Sequence, residues 1–321
     1  MKNNKEFKNL EEQIEIFKSK GLVVNNIDYA KEVLLRENYF FLNGYRHLFM
    51  KSDSEKTYVN GATFEELYGL FLFDRAFRNL LFKNILTIEN NLKSIISYQL
   101  SLRYGYREKD YLNPKNFTNN PEKHKQVNDV IKKMKRQIKN NATQHSATMH
   151  YVTNYGYIPL WVLVKVISFG ILGELYSILK KEDQIIIADI YNIDVDVFEN
   201  YIVMVSNYRN LCAHEDIVFE NKTQRQIEDT KFHRELKIEV DQEDKYIYGK
   251  NDVFALVLII KQMLKDDEFN AFCNELSNLI NDLGNTLKSI SIDTVLQRMG
   301  FPKNWEDLRK LSTRKVFESE E

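Results

Sequence analysis

The sequence is poor in cysteine, proline and glycine for a chain of 321 residues. Its two cysteines, Cys212 and Cys273, are too few for a disulfide framework or a cysteine-based zinc site, and they fit a reducing, cytoplasmic setting. Only four prolines and eleven glycines interrupt the chain. This scarcity of helix-breaking residues predicts long helices joined by few turns, and therefore an all-α fold.

Net charge and long apolar runs are lacking as well. The 45 Lys and Arg residues balance 46 Asp and Glu residues to a net charge of −1, so any attraction for nucleic acid must come from local patches. The longest apolar runs, Leu160–Val164 and Val253–Ile260, are too short to span a bilayer. The first residues carry charge without an apolar core, so we expect neither a signal peptide nor a membrane partner.

Motifs for cofactors and metals are equally scarce. The sequence contains no Gly-rich phosphate loop, and we therefore predict no cofactor. His145 and His150 lie five residues apart in a polar connection, with no Cys, Asp or Glu at ligand spacing. A metal site is therefore not expected either.

Helical spacing of apolar residues extends along most of the chain. Thr63 and Glu66 form a capping box that begins the longest predicted helix, which runs to Tyr104 and stops at Gly105. Ser168-Phe169-Gly170 is interpreted as a break between two helices of the apolar segment 157–176. Apolar and polar residues alternate over 237–250, a pattern that is typical of a small β-hairpin. Further helices are predicted over 5–20, over 28–35 with Asp28 as its cap, and over 122–141, 183–191, 194–214, 253–264, 268–287 and 293–299.

These elements divide the chain into three regions. Residues 1–60 form an N-terminal helical region, and residues 61–235 form a helical core. Residues 236–321 form a C-terminal helical region that packs on the core. Neither an internal repeat nor a low-complexity linker separates the regions.

The stretch Ser206–Asp216 holds three side chains suited to RNA cleavage. Asn210 and His214 are i,i+4 neighbours on one helix face, and the long side chain of Arg209 starts about 100° away. Cleavage without a metal needs a base for the ribose 2′-hydroxyl, an acid for the leaving oxygen and a cation for the developing charge. We predict His214 as acid or base, Arg209 as the cation, and Asn210 as a donor to the phosphate or a support for the imidazole. Only one such motif occurs, so a symmetric homodimer would supply the second half.

Basic residues elsewhere are candidate contacts for RNA phosphates. Most of them lie on the predicted helix 122–141. The alternative is that these residues form a solvated helix face and contact no phosphate. Arg46 follows the aromatic stretch Tyr39–Phe49, which either packs in the core or stacks with bases. Two more lie on the longest helix and could reach the central motif. The predicted RNA-binding residues are Lys125, Lys132, Lys133, Lys135, Arg136, Lys139, Arg46, Arg75 and Arg78.

Three of these segments resemble a known family. Arg209-Asn-Leu-Cys-Ala-His214 resembles the Arg-x4-His signature of HEPN-type ribonucleases. Together with Pro159–Tyr176 and Tyr39–Phe49, it makes residues 10–220 similar to the Abi-like family, the abortive-infection proteins of the AbiD and AbiF type. Relatives often carry a second His or a Tyr shortly after the motif His, whereas here Glu215 and Asp216 follow.

The resemblance implies a fold, an activity and partners. The fold would be an all-α HEPN-like bundle with N- and C-terminal helical extensions. The activity would be that of a toxic endoribonuclease in bacterial defence against phage, with a composite site in a homodimer. A small structured non-coding RNA would be a partner, as for some members of the family. The missing Tyr at position 216 argues against control by tyrosine modification.

Three functional hypotheses remain open from the sequence. The first is a metal-independent endoribonuclease of phage defence. The second is a non-catalytic protein that holds a structured non-coding RNA through helix 122–141. The third is a helical protein whose motif is only a helix end, with Arg209 paired to Glu215 or Asp216.

Overall fold

The computed structural model describes residues 6–52 and 54–313, and it confirms the all-α prediction. No β-strand occurs within these ranges, and none of their helices is long and apolar enough to cross a membrane. The helix predicted over 5–20 begins at Leu10, and residue 5 lies outside the described ranges. The α-helices are α1 Leu10–Ser19, α2 Ile27–Glu37, α3 Tyr39–Gly44, α4 Phe64–Tyr104, α5 Glu108–Tyr111, α6 His124–Asn141, α7 Ser146–Tyr155, α8 Leu160–Val166, α9 Phe169–Ser177, α10 Lys181–Asp189, α11 Val195–Ala213, α12 Lys231–Glu235, α13 Val253–Met263, α14 Asp266–Thr286 and α15 Ile292–Arg298.

Helix α4 is the longest helix, and several other helices pack on it. Its capping box is confirmed: Glu66 N donates to Thr63 Oγ1 at 3.2 Å, and Thr63 N donates to Glu66 Oε2 at 3.0 Å. It ends at Gly105, whose φ of 96° is a conformation that glycine adopts without strain. Over its rise of about 60 Å, α4 contacts α8, α11, α13 and α14.

Glu66 also ties the C-terminal region to the start of α4. Its Oε1 accepts hydrogen bonds from Lys288 N and Ser289 N, both at 2.6 Å, and from Ser289 Oγ at 2.9 Å. Buried apolar side chains of all three predicted regions belong to one hydrophobic cluster. The C-terminal helices therefore pack directly on the helix that supports the motif.

Three local predictions were wrong. In place of a β-hairpin, residues 237–250 contain a single isolated bridge between Val240 and Tyr246, since two short paired segments without a further strand are marginal. Asn26, not Asp28, caps α2, because its Oδ1 accepts from Tyr29 N at 3.0 Å. The polar connection that carries His150 is a helix, α7, which packs on α6 and α8.

His233 in α12 is fully buried as a neutral imidazole. Its Nδ1 accepts from Thr230 N at 3.0 Å, so its Nε2 carries the proton and donates to Gly249 O at 2.9 Å. Burial lowers the pKa of His233 below its usual value. The unfolded chain therefore binds a proton at this site before the folded chain does, and stability is lost as the pH falls through about 6.5.

We expect a pH-dependent stability from this histidine. The free energy of unfolding, measured by urea denaturation, should decrease when the pH is lowered from about 7.5 to about 5.5. The variant His233→Gln cannot titrate, and it should show a weaker dependence over the same interval. An equal dependence in both proteins would contradict the assignment.

Candidate active site at the end of helix α11

The motif occupies the last turn of α11, where a Schellman motif ends the helix. Asp216 N donates to Leu211 O at 3.1 Å, and Glu215 N donates to Cys212 O at 3.4 Å. Glu215 takes the left-handed conformation that this motif requires, with φ of 59°. His214 is consequently the last residue in line with the helix, and the chain turns away directly after it.

Asn210 and His214 line one shallow depression of about 290 Å³. Both residues are exposed, so the amide and the imidazole are open to a substrate. The predicted i,i+4 arrangement on one face is therefore present. Asn207 and Thr223 line the same depression, as does Lys222. The sequence analysis missed Lys222, although its position eight residues after the motif histidine places it in the adjoining loop.

Arg209 points to a different face of α11, toward α4. Its Nε lies 3.7 Å from Glu89 Oε2, and its guanidinium carbon lies 5.8 Å from the Phe82 ring centroid. The other oxygen of Glu89 forms an ion pair with Lys93 Nζ at 2.7 Å. The helix-end hypothesis predicted that Arg209 pairs with Glu215 or Asp216. Arg209 forms neither of these pairs and lies beside Glu89. One chain brings Asn210 and His214 together but holds Arg209 beside them.

The contact between Glu89 and Arg209 is an incomplete ion pair. Glu89 is 5% exposed, yet its Oε2 and the Nε of Arg209 are both buried without a hydrogen-bond partner. Their separation exceeds a hydrogen bond by less than an ångström. Glu89 therefore orients the guanidinium, whose terminal nitrogens meet no acceptor among the described residues. The sequence signal for Glu89 was a carboxylate at an apolar position of α4, between Ile85 and Leu92.

Asp74 of α4 anchors the loop that follows the motif. Its Oδ1 accepts from Phe219 N at 2.8 Å. Its Oδ2 accepts from Tyr45 Oη at 2.7 Å and from Arg78 Nη1 at 2.5 Å. Burial raises the pKa of Tyr45, so its hydroxyl stays protonated as a donor, and its ring stacks on Phe219 at 5.8 Å. This network joins the aromatic stretch, the long helix and the motif loop.

Three of the predicted RNA-binding arginines are engaged within the protein. Arg78 is 3% exposed and pairs with Asp74. Arg75 donates two hydrogen bonds to the carboxylate of Glu37, at 2.9 Å and 2.5 Å. Arg46 is half-buried and donates to a backbone carbonyl of α3. Because a buried, paired guanidinium does not reach a phosphate, Arg78 is left out of the RNA contacts proposed below. Arg75 is partly exposed, but its guanidinium is already paired with Glu37, and it is left out as well.

The aromatic stretch Tyr39–Phe49 divides between core and surface. Tyr45 and Phe49 are buried, which is the core-packing alternative. Phe40 and Phe41 are exposed, with ring centroids 5.9 Å apart in an edge arrangement. They are the exposed Phe rings of the stretch, whereas Tyr39 is half-buried.

Helix α6 presents a strip of positive charge. It buries Val127, Val130, Ile131 and Met134 and turns its basic residues outward. Lys133 contacts both oxygens of Glu174 at 2.6 Å. The other cations make no ion pair with a described residue, and we call them the α6 basic strip: Lys125, Lys132, Lys135, Arg136 and Lys139.

Cysteine chemistry has no suitable site in this structure. Cys212 and Cys273 are both free and buried. Burial raises the pKa of the Cys212 thiol to about 12 and that of Cys273 to about 11, so neither is a ready nucleophile. In the part of the chain that the structure describes, no three His, Cys, Asp or Glu side chains converge as a metal site requires.

Comparison with protein families gives a match over the central part of the chain. The model described as Abi-like protein matches residues 32–220, which is more than half of the chain. The matched range contains the aromatic stretch, most of the helices that pack on α4, and the motif at the end of α11. Neither the search of curated proteins nor that of solved structures gave a match.

Proposed function

Because the chain belongs to the Abi-like protein family, whose name points to abortive infection and phage defence, we propose that it is a metal-independent endoribonuclease of such a system. The observation that carries the proposal is the depression in which the exposed side chains of Asn210 and His214 meet. The orientation of Arg209 by a buried carboxylate supports it.

The proposed reaction moves two protons. A base removes the proton of the ribose 2′-hydroxyl, O2′ attacks the adjacent phosphorus, and the P–O5′ bond breaks as an acid protonates O5′. The products are a 2′,3′-cyclic phosphate and a 5′-hydroxyl. His214 carries one proton transfer, Asn210 donates to a phosphate oxygen, and Arg209 stabilises the charge of the pentacoordinate state.

One chain supplies only half of the acid–base pair. We propose that a homodimer supplies the other half, with the second copy's motif facing the first. In its own chain, Arg209 lies beside the depression but does not line it. A dimer would therefore allow Arg209 to act together with the motif of the second copy.

Cleavage is tested directly with the purified full chain. A 5′-labelled RNA is incubated with the protein in EDTA, and the ends of the products are identified. Fragments with 2′,3′-cyclic phosphate and 5′-hydroxyl ends are expected. Fragments with 3′-hydroxyl ends, or no cleavage of any RNA offered, would overturn the proposal.

The α6 basic strip favours a second candidate function, in which the protein holds a structured non-coding RNA without cutting it. Several unpaired cations on one helix supply affinity for phosphates without sequence preference. Sequencing the RNA that co-purifies with the protein separates the two functions. One defined RNA with intact ends would favour holding, and a mixture of fragments with cyclic phosphates would favour cleavage.

Neutralising Glu89 should slow cleavage. In Glu89→Gln, Arg209 loses the charge that orients it, and Lys93 keeps a buried charge without its partner. We expect kcat to fall at least about 10-fold with a smaller change in KM. The guanidinium of Arg209 stabilises the transition state, and in this variant it is no longer held in position. The measurement is the rate of cleavage of a labelled RNA over a series of RNA concentrations.

The matched control is Glu275→Gln, which removes the same charge from an exposed pair with Lys83. That variant should cleave RNA at the rate of the unmodified protein. Equal kcat values for the two variants would show that Glu89 has no part in positioning Arg209.

A further inference from the structure

A row of three neighbouring depressions leads from His214 to helix α6, and we call this row the groove. The depression at His214 shares Asn207 with a second depression of about 240 Å³ between α9 and α11. The second shares Gln126 and Glu174 with a third of about 310 Å³ on α6. Three neighbouring depressions thus join the motif to the α6 basic strip.

The groove has the length of an extended polymer. It follows α11 from Glu199 to His214, a rise of about 22 Å, before it reaches α6. Gly170 and Gly173 of α9 lie along it and contribute no side chains. A small molecule would need only one of these depressions.

Besides Lys125 and Lys133 of α6, two cations outside the motif line this groove. Lys222 lines the depression at His214, and Arg225 lines the next one. Both are exposed and neither forms an ion pair with a described residue, although the charge of Lys222 acts on the buried Asp252. Their loop is pinned at both ends, by Thr223 N donating to Asn251 O and Ile227 N donating to Lys250 O, both at 2.8 Å. The backbone that carries these two cations is thus held in place beside the motif.

The groove also contains acidic groups, among them the exposed Glu122 and Asp129 of the third depression. Glu174 is neutralised by Lys133. Glu199 is half-buried and makes no ion pair with a described residue, while Asp216 lies at the His214 end. A polyanion in the groove would be repelled by Glu199 and attracted by Arg225, and these opposite effects can be tested separately.

We propose that the groove binds single-stranded RNA, with Lys222 and Arg225 as phosphate contacts that lead the strand from the α6 basic strip to His214. This inference rests on the proposed function for its substrate. An unpaired strand is specified because in-line attack by O2′ needs a flexible backbone, and because the groove is lined from several elements at once.

The binding test uses full-length protein with His214→Ala, so that the RNA stays intact. The probe is a fluorescein-labelled unpaired RNA of about 12 nucleotides, and its anisotropy is measured over a series of salt concentrations. Lys222→Glu and Arg225→Glu should each weaken binding about 10-fold and lower the salt slope, because each removes a phosphate contact. Glu199→Gln should tighten binding several-fold.

Lys303→Glu is the matched control, since this exposed lysine of the C-terminal region lines none of the three depressions. It should leave the affinity unchanged. Binding by Arg225→Glu and Lys222→Glu equal to that of this control would overturn the proposal. Displacement of the probe by an RNA duplex at equal concentration would also overturn it.

A steric variant tests the path itself. A Cβ at Gly170 would meet only Ser168 Oγ at 3.9 Å, so Gly170→Trp can place its ring over the groove without displacing the backbone. It should weaken binding of the long probe about 10-fold but spare an RNA of about 3 nucleotides, which needs only the end at His214. If the protein with Gly170→Trp binds the long probe as tightly as the protein without it, the proposed path is contradicted. Absence of cleavage by the native protein would overturn the ribonuclease proposal and leave these binding results standing.

Discussion

His214→Ala and Arg209→Ala are each expected to abolish RNA cleavage and cellular toxicity without unfolding the protein. Loss of a general acid or base costs about 10²- to 10⁴-fold in rate, and loss of a cation at the phosphate costs a comparable factor. The His214 side chain is exposed, so its removal should change stability by no more than about 0.5 kcal/mol. The rates are measured on a labelled RNA, and toxicity is measured as colony counts after induction.

Two further variants sharpen this test. Arg209→Lys keeps the charge but loses the planar fork, and we expect it to recover only a small part of the rate. His47→Ala removes an exposed histidine that lies outside the motif, and it should cleave RNA normally. Full activity in both His214→Ala and Arg209→Ala would refute the assignment of the site.

Asp74→Ala should lower the free energy of unfolding by about 3–5 kcal/mol. The substitution leaves the buried guanidinium of Arg78 without its counter-charge. It also removes the acceptor of the Tyr45 hydroxyl and of two backbone amides, those of Val218 and Phe219. Urea denaturation measures the loss, with the slope checked for two-state behaviour.

A surface pair gives the comparison for this loss. Asp196 pairs with Lys181 at 3.1 Å, with both side chains largely exposed, and Asp196→Ala should cost no more than about 1 kcal/mol. Combining Asp74→Ala with Arg78→Met should be less harmful than Asp74→Ala alone, since it leaves no unpaired buried charge. A loss for Asp74→Ala as small as that for Asp196→Ala would contradict the anchoring role.

The sequence by itself determined the elements whose signals are local. The start of α4 follows from the capping box of Thr63 and Glu66, and its end follows from Gly105. The break between α8 and α9 follows from Ser168, whose side chain caps α9. The motif residues Asn210 and His214 share a depression because helical geometry alone sets their spacing. Each of these signals acts within one or two helical turns.

Only the tertiary structure decided which charges face the substrate and which hold the fold. Asp74 and Val218 are 144 positions apart, and no local pattern pairs them. The same holds for Arg209 with Glu89 and for the groove that joins Lys222 to α6. Arg78 and Lys132 look alike in the sequence, but one is buried against a carboxylate and the other is open to solvent. Burial of a charge depends on the partner that packing brings to it, and packing joins residues that are distant along the chain.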